Sequence, residues 1–248
     1  MLLPRLKHKY HLLQQHKELC ITEPKEAHFF DALMDPWPET DGSEYSIDWY
    51  NSLCSVCSPK AQCGDATPTY MFLDKAIKRV AQLQPQMQWI LILRDPVSRA
   101  YSEYQMNVAT RPTDSEFEQW LFGDNMTFEE ALELEKPKNP HQLGTRWSAH
   151  QYLQRGEYMN QIEQILTRFN RSQLLVLISE EVRTSRNYTP IYKFLNVSDV
   201  PGDMPDSNVL AYEPMRTATR DRLREHFRPH NERLFAWLGR RVPAWEAG

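Results

Sequence analysis

No stretch of the 248-residue chain is apolar for the roughly 18–20 residues that a membrane span requires. The first twenty positions hold Arg5, Lys7, His8, Lys9, His11, His16 and Lys17, too polar a set for the core of a signal peptide. Net positive charge is absent as well. At −4 the chain has no general pull toward nucleic acid or anionic lipid, and an anionic substrate would need a local basic patch. There are no internal repeats and no low-complexity tracts. Cysteine is scarce, with four residues: Cys20, Cys54, Cys57 and Cys63. Cys54-x-x-Cys57 is compatible with zinc, but no second Cys-x-x-Cys or His pair supplies the remaining ligands at a usual spacing. One or two disulfides in a surface loop suit these cysteines better if the compartment is oxidising.

The composition, 41% hydrophobic and 25% charged, is that of an ordinary globular protein. The length suits one sizeable α/β domain spanning residues 1–248. Two continuous apolar runs, Trp89–Leu93 and Leu174–Ile178, read as buried strands of a parallel sheet. Helical spacing occurs over residues 2–19, 72–83, 128–134 and 190–195, and beyond Gly156-x-Tyr158. A short extended segment is expected at Cys20–Glu23, and a short helix near Ile47–Leu53 inside a long loop. Thr219 to Leu238 reads as a closing helix that Pro229 interrupts near its middle. Residues 111–145 read as a loop-rich surface excursion. Helices alternating with buried strands predict a three-layer α/β sandwich around a parallel sheet.

Four Asn-x-Ser/Thr sequons begin at Asn125, Asn170, Asn187 and Asn196, none with Pro in the middle. That number points to a luminal, glycosylated protein, although accidental matches also occur.

The strand at 89–93 runs straight into Arg94-Asp-Pro-Val-Ser-Arg-Ala-Tyr-Ser102-Glu-Tyr. Asp95 stands where an N-cap belongs, with Pro96 at the first helical position. A helix N-terminus offers unpaired N–H groups to an anion, and an adjacent Arg adds a bidentate fork. Ser98 and Ser102, four apart, share one helix face. A capped helix in any α/β protein would look the same locally, but the full spacing Arg-Asp-Pro-x-x-Arg-x-x-Ser-x-Tyr is more specific. It resembles the segment of Golgi carbohydrate sulfotransferases that holds the 3′-phosphate of 3′-phosphoadenosine 5′-phosphosulfate. The resemblance implies a P-loop-like sulfotransferase fold, with Arg94 and Ser102 as the phosphate ligands.

A second concentration of titratable groups lies at Lys25-Glu-Ala-His-Phe-Phe-Asp31. In an extended segment Glu26 and His28 face the same way, and a carboxylate beside an imidazole suits general-base chemistry. A polar strand end with a solvated Glu and a structural His fits the same spacing. The segment is similar to the acceptor-side catalytic stretch of heparan sulfate and related glycan sulfotransferases. That resemblance implies Glu26 as the base, His28 as its assistant, and Lys25 and Asp31 as acceptor or supporting contacts. Ile47-Asp-Trp-Tyr50, Gly64-Asp-Ala-Thr-Pro-Thr-Tyr70, Gly156-x-Tyr158, Glu180–Glu181 and Phe227-x-Pro-x-Asn231 fall in the family's order, so the likeness covers roughly residues 10–240.

Two departures qualify the resemblance. The family's first strand and its Lys-x-Gly-Thr-Thr loop for the 5′-phosphosulfate are not in the chain, and Ala66 stands where many members carry Lys. Both remove positive charge from around the transferring group. The expectation is therefore a domain lacking its first strand and loop, either truncated or weakly active. The implied reaction moves a sulfuryl group from the 3′-phosphoadenosine donor to a glycan or proteoglycan hydroxyl. It needs no metal and involves no nucleic acid. In a full-length form it would take place in the Golgi lumen on a type II membrane anchor. An inactive nucleotide- or glycan-binding relative is the first alternative. A P-loop nucleotide kinase is the other, and it would require a Gly-rich loop with Lys-Ser/Thr that the chain lacks.

Overall fold

The computed structural model describes residues 16–31, 46–109, 126–135, 151–200 and 212–246. Within them the order is β1 (Leu19–Ile21), α1 (Ile47–Ser52), β2 (Gln62–Gly64), α2 (Asp74–Leu83), β3 (Trp89–Leu93), α3 (Pro96–Ala109) and α4 (Phe128–Leu134). There follow α5 (Tyr158–Leu166), β4 (Leu174–Ile178), α6 (Ser179–Ser185), α7 (Thr189–Leu195) and α8 (Thr217–Leu238). The chain groups into two compact units, Met1–Leu93 with Gln161–Val209 and Arg94–Asn160 with Leu210–Gly248. Most of the helix expected over residues 2–19, and the sequon at Asn125, lie outside the described residues.

The first unit holds two parallel strand pairs. β1 pairs with β2, Cys20 opposite Cys63, and β3 pairs with β4, Trp89 opposite Leu174 through Leu93 opposite Ile178. Every residue of β3 is buried, as a parallel strand covered on both faces requires. Its Ile90 and Ile92 join Leu19 and Ile21 of β1, Val182 of α6, Tyr188 before α7, and Ile191 and Tyr192 of α7 in one apolar cluster. Each such side chain contributes roughly 1.5–3 kcal/mol on burial. The Gln173 amide donates to the carbonyls of Pro85 (2.9 Å) and Met87 (3.1 Å) and so fixes where the two longer strands begin.

The four cysteines form two disulfides, Cys20–Cys57 and Cys54–Cys63. They staple the turn after α1 to the β1–β2 pair. No cysteine is left for zinc. A pair of such links typically contributes about 2–4 kcal/mol each by restricting the unfolded chain. β2 carries no hydrophobic signal in the sequence, since it is three residues long and mostly exposed; the disulfides and its pairing with β1 define it.

The second unit is helical. Val97 and Ala100 of α3, Phe128, Ala131 and Leu132 of α4, and Leu223 and Phe227 of α8 share a core with Tyr152. α4 starts with a capping box. Thr127 N–H donates to Glu130 Oε2 (2.8 Å), and Glu130 N–H donates to Thr127 Oγ1 (3.3 Å). Pro229 does not break α8, which runs unbroken from Thr217 to Leu238. The proline is on the exposed side of the helix, as is Glu225, whose carbonyl loses its N–H partner. Water can satisfy that carbonyl, so the usual penalty of an interior proline is reduced.

Gly156 closes a short 3-10 turn, and the reason for glycine there is steric. A Cβ at this position would lie 2.6 Å from Phe227 Cε1 and 3.0 Å from Pro96 Cβ. Phe227 is fully buried and has nowhere to move. Gly156→Ala should therefore lower stability by about 1–3 kcal/mol through overpacking, measured by urea unfolding. Unchanged stability would show that this contact is looser than described.

Candidate active site

The segment from Lys25 to Asp31 is held from one side by the turn that follows β2. Ala27 N–H reaches Asp65 Oδ1 (3.4 Å), His28 N–H donates to Thr67 Oγ1 (3.2 Å), and Phe29 N–H donates to the Tyr70 hydroxyl (2.8 Å). Asp65 gathers these anchors. Its carboxylate accepts from Thr67 N–H (3.0 Å), Thr67 Oγ1 (2.7 Å) and the Tyr70 hydroxyl (2.7 Å). Burial, with the Asp65 charge second, pushes the Tyr50 and Tyr70 phenols well above their ordinary range, so both remain donors. Beneath them Phe29 stacks on Tyr50 at 4.6 Å, and Phe30 meets Tyr50 and Tyr70 edge-on. Buried Arg79 of α2 donates to the Phe30 carbonyl (3.2 Å). In the sequence the Asp65-x-Thr67-x-x-Tyr70 spacing was visible only as part of a family-like turn, and Arg79 carried no signal.

Glu26, His28 and Asp31 do come together, though not by strand alternation. His28 adopts a left-handed backbone conformation, φ 51°, uncommon for a residue with a side chain but better tolerated by His than by most. The resulting turn puts the imidazole between two carboxylates. His28 Nδ1–H donates to Asp31 Oδ2 (2.9 Å), and Nε2 lies 3.7 Å from Glu26 Oε2. The Lys25 ammonium pairs with Glu26 Oε1. Asp31 is nearly enclosed, with its side chain 8% exposed, whereas His28 is open to solvent at 55%.

The electrostatics follow from this geometry. Asp31, with Glu26 second, raises the His28 pKa to about 10 against the opposing effect of burial. The ring is an imidazolium at neutral pH. Glu26 is held down to about 2, chiefly by His28 and next by Lys25, both outweighing burial. Burial would raise Asp31, but the His28 hydrogen bond and others bring its net pKa below the ordinary value. At neutral pH the site thus contains two carboxylates with one imidazolium between them.

At the Arg94 junction, Leu93 ends β3 and Asp95 caps α3. Asp95 Oδ2 accepts from Ser98 N–H (2.9 Å) and from the Ser98 hydroxyl (2.6 Å). That carboxylate, with Pro96 having no N–H, leaves little of the helix end for an incoming anion. The Tyr158 hydroxyl donates to the Arg94 carbonyl (2.7 Å), fixing its backbone. The half-buried Arg94 guanidinium has no partner among the described residues. Arg99 is committed elsewhere, to Glu103 (2.5 Å) and to the Tyr152 carbonyl.

The raised His28 value has a measurable consequence. A histidine raised above its ordinary pKa contributes stability that is complete below about 6.5 and lost as the pH rises through its folded value. Ring NMR should show His28 still protonated at pH 8, with a midpoint near 10. Asp31→Asn should bring that midpoint down toward 6.5. A native midpoint near 6.5 would contradict the paired geometry.

No protein-family model matches the sequence. Among curated proteins, the chain is 27% identical to human heparan sulfate glucosamine 3-O-sulfotransferase 3B1, over 63% of this chain and 34% of that one. It is 25% identical to the Xenopus laevis bifunctional heparan sulfate N-deacetylase/N-sulfotransferase 1, over 95% of this chain and 29% of that one. The chain thus matches about a third of the length of these relatives. Among solved structures, a crystal structure of a sulfotransferase from Alicyclobacillus acidocaldarius superposes with a TM-score of 0.73 at 26% identity, covering 95% of this chain and 91% of that one. In sequence the chain is thus similar to heparan sulfate sulfotransferases, and in fold to a solved sulfotransferase, whose α/β architecture it shares.

Proposed function

We propose that the protein transfers a sulfuryl group from 3′-phosphoadenosine 5′-phosphosulfate to a hydroxyl of a glycan, with a heparan-type polysaccharide as the acceptor class. The observation that carries this reading is the Lys25–Asp31 cluster. An ionised, half-buried carboxylate is held by a solvent-open imidazolium and a lysine, on a backbone pinned at three successive amides. In the proposed step the acceptor hydroxyl oxygen forms a bond to sulfur while the bond from sulfur to the bridging oxygen of the donor breaks. Glu26 takes the hydroxyl proton, and adenosine 3′,5′-bisphosphate leaves. A carboxylate this acidic is a weak base toward a free hydroxyl. It receives the proton late, once the forming S–O bond has made that hydroxyl acidic. His28, already protonated, orients Glu26 rather than competing for the proton, and Asp31 orients His28. Lys25 is within reach of the charge that develops during transfer.

On the donor side, Arg94 and Ser102 would hold the 3′-phosphate. The guanidinium, without a partner among the described residues and on a fixed backbone, supports this assignment. The two disulfides and the exposed sequon residues Asn170, Asn187 and Asn196 support an oxidising, glycosylating compartment such as the Golgi lumen. Among the described residues, no helix is long and apolar enough to cross a membrane.

Calorimetry with two nucleotides tests the reading. Adenosine 3′,5′-bisphosphate should bind more tightly than adenosine 5′-phosphate, and Arg94→Ala should remove most of the difference. A charge-assisted bond of about 1.5–3 kcal/mol corresponds to roughly 10- to 150-fold in affinity. Equal affinities for the two nucleotides in the native protein would overturn the assignment.

A further inference from the structure

A cluster of metal-ligating side chains lies in the helical unit and takes no part in the proposed transfer. His226 and His230 are four residues apart on α8, so their rings share one face of the helix. Glu157 follows the glycine whose backbone is pressed against Phe227, the residue next to His226. That close approach brings the carboxylate to the two rings. Glu157 Oε1 is 3.4 Å from His226 Nε2 and 3.6 Å from His230 Nε2, and all three ligand atoms lie within 4.8 Å of one another.

These separations fit a tetrahedral metal. Ligand bonds of about 2.0–2.1 Å to zinc place neighbouring donor atoms about 3.3–3.5 Å apart. Hydrogen bonding does not account for the arrangement, because His226 Nε2 is a buried atom with no hydrogen-bond partner. The carboxylate is oriented from behind. Asn160 Nδ2 donates to Glu157 Oε2 (2.9 Å), leaving Oε1 directed at the rings, and Arg233 donates to Asn160 Oδ1 (2.8 Å). Ligand orientation by an outer hydrogen-bonded residue is a regular feature of metal sites. Two imidazoles and a carboxylate suit zinc and its neighbours rather than magnesium or calcium.

We propose that Glu157, His226 and His230 form a zinc site that clips α8 to the turn before α5. Three protein ligands leave the fourth position to water. None of the three residues is called on by the proposed transfer, so the site stands or falls independently of that function.

The test uses the full chain without a histidine tag, stripped by chelator and dialysed. Co²⁺ is titrated first, for its visible absorption in four-coordinate sites, and then displaced by Zn²⁺; calorimetry with Zn²⁺ gives stoichiometry and affinity. The native protein should bind one equivalent, show the four-coordinate Co²⁺ spectrum, and unfold at a higher temperature with zinc than without. Glu157→Gln, which keeps the side chain's shape, and the double variant His226→Gln/His230→Gln should each abolish the spectrum and the thermal shift. Asn160→Ala should weaken zinc binding about 10- to 100-fold. Circular dichroism and the metal-free unfolding temperature check that each variant is folded. The sequence also carries His8, His11 and His16, so the variants are decisive. Stoichiometric binding that survives in the folded double variant, or in folded Glu157→Gln, would overturn the proposal. So would the absence of four-coordinate Co²⁺ absorption from the native protein.

Discussion

The Asp65 carboxylate is the fixed point on which the Lys25–Asp31 cluster depends. It is buried, and it accepts from Thr67 and Tyr70, whose own oxygens, with Asp65 itself, face the amides of Ala27, His28 and Phe29. Three consecutive backbone N–H groups with no strand partner are thereby oriented toward side-chain oxygens. A buried amide left unpaired costs about 1–3 kcal/mol, so this arrangement makes a non-repetitive backbone tolerable in the interior. It also sustains the left-handed turn at His28 that no strand geometry would provide. With that turn made, the imidazole lies between Glu26 and Asp31, and the protonation states follow from hydrogen bonding and Coulomb attraction over about 3–4 Å.

The sequence made the regular elements legible where an apolar run was unbroken. Trp89–Leu93 and Leu174–Ile178 are paired parallel strands at the expected residues, the first buried throughout and the second buried at its two ends and half-buried between. Phe128–Leu134, expected from its helical spacing, is a helix at those residues, and the structure adds the capping box that starts it. β2 was not legible, since an exposed three-residue strand has no hydrophobic pattern to read. The break expected at Pro229 did not occur because the lost hydrogen bond is on the solvent side of α8.

The site was legible in its identities rather than in its physics. Glu26, His28 and Asp31 stand close in the chain, so their meeting needed only a local turn. What the spacing could not convey was that Asp31 faces inward and makes His28 a cation. The Glu157–His226–His230 cluster was invisible for another reason. Two histidines four apart on a polar helix face resemble any solvated pair, and the third member joins them only through the tertiary contact of Gly156 with Phe227.

Transfer of labelled sulfate from 3′-phosphoadenosine 5′-phosphosulfate to a heparan-type polysaccharide, by the protein purified from cells expressing its whole gene, is the most direct measurement of the central claim. Turnover should fall by about 10²–10⁴ in Glu26→Gln, while binding of adenosine 3′,5′-bisphosphate stays within about twofold of the native protein. Full turnover by the Glu26→Gln variant, or no transfer by a native protein that binds the nucleotide, would contradict the account.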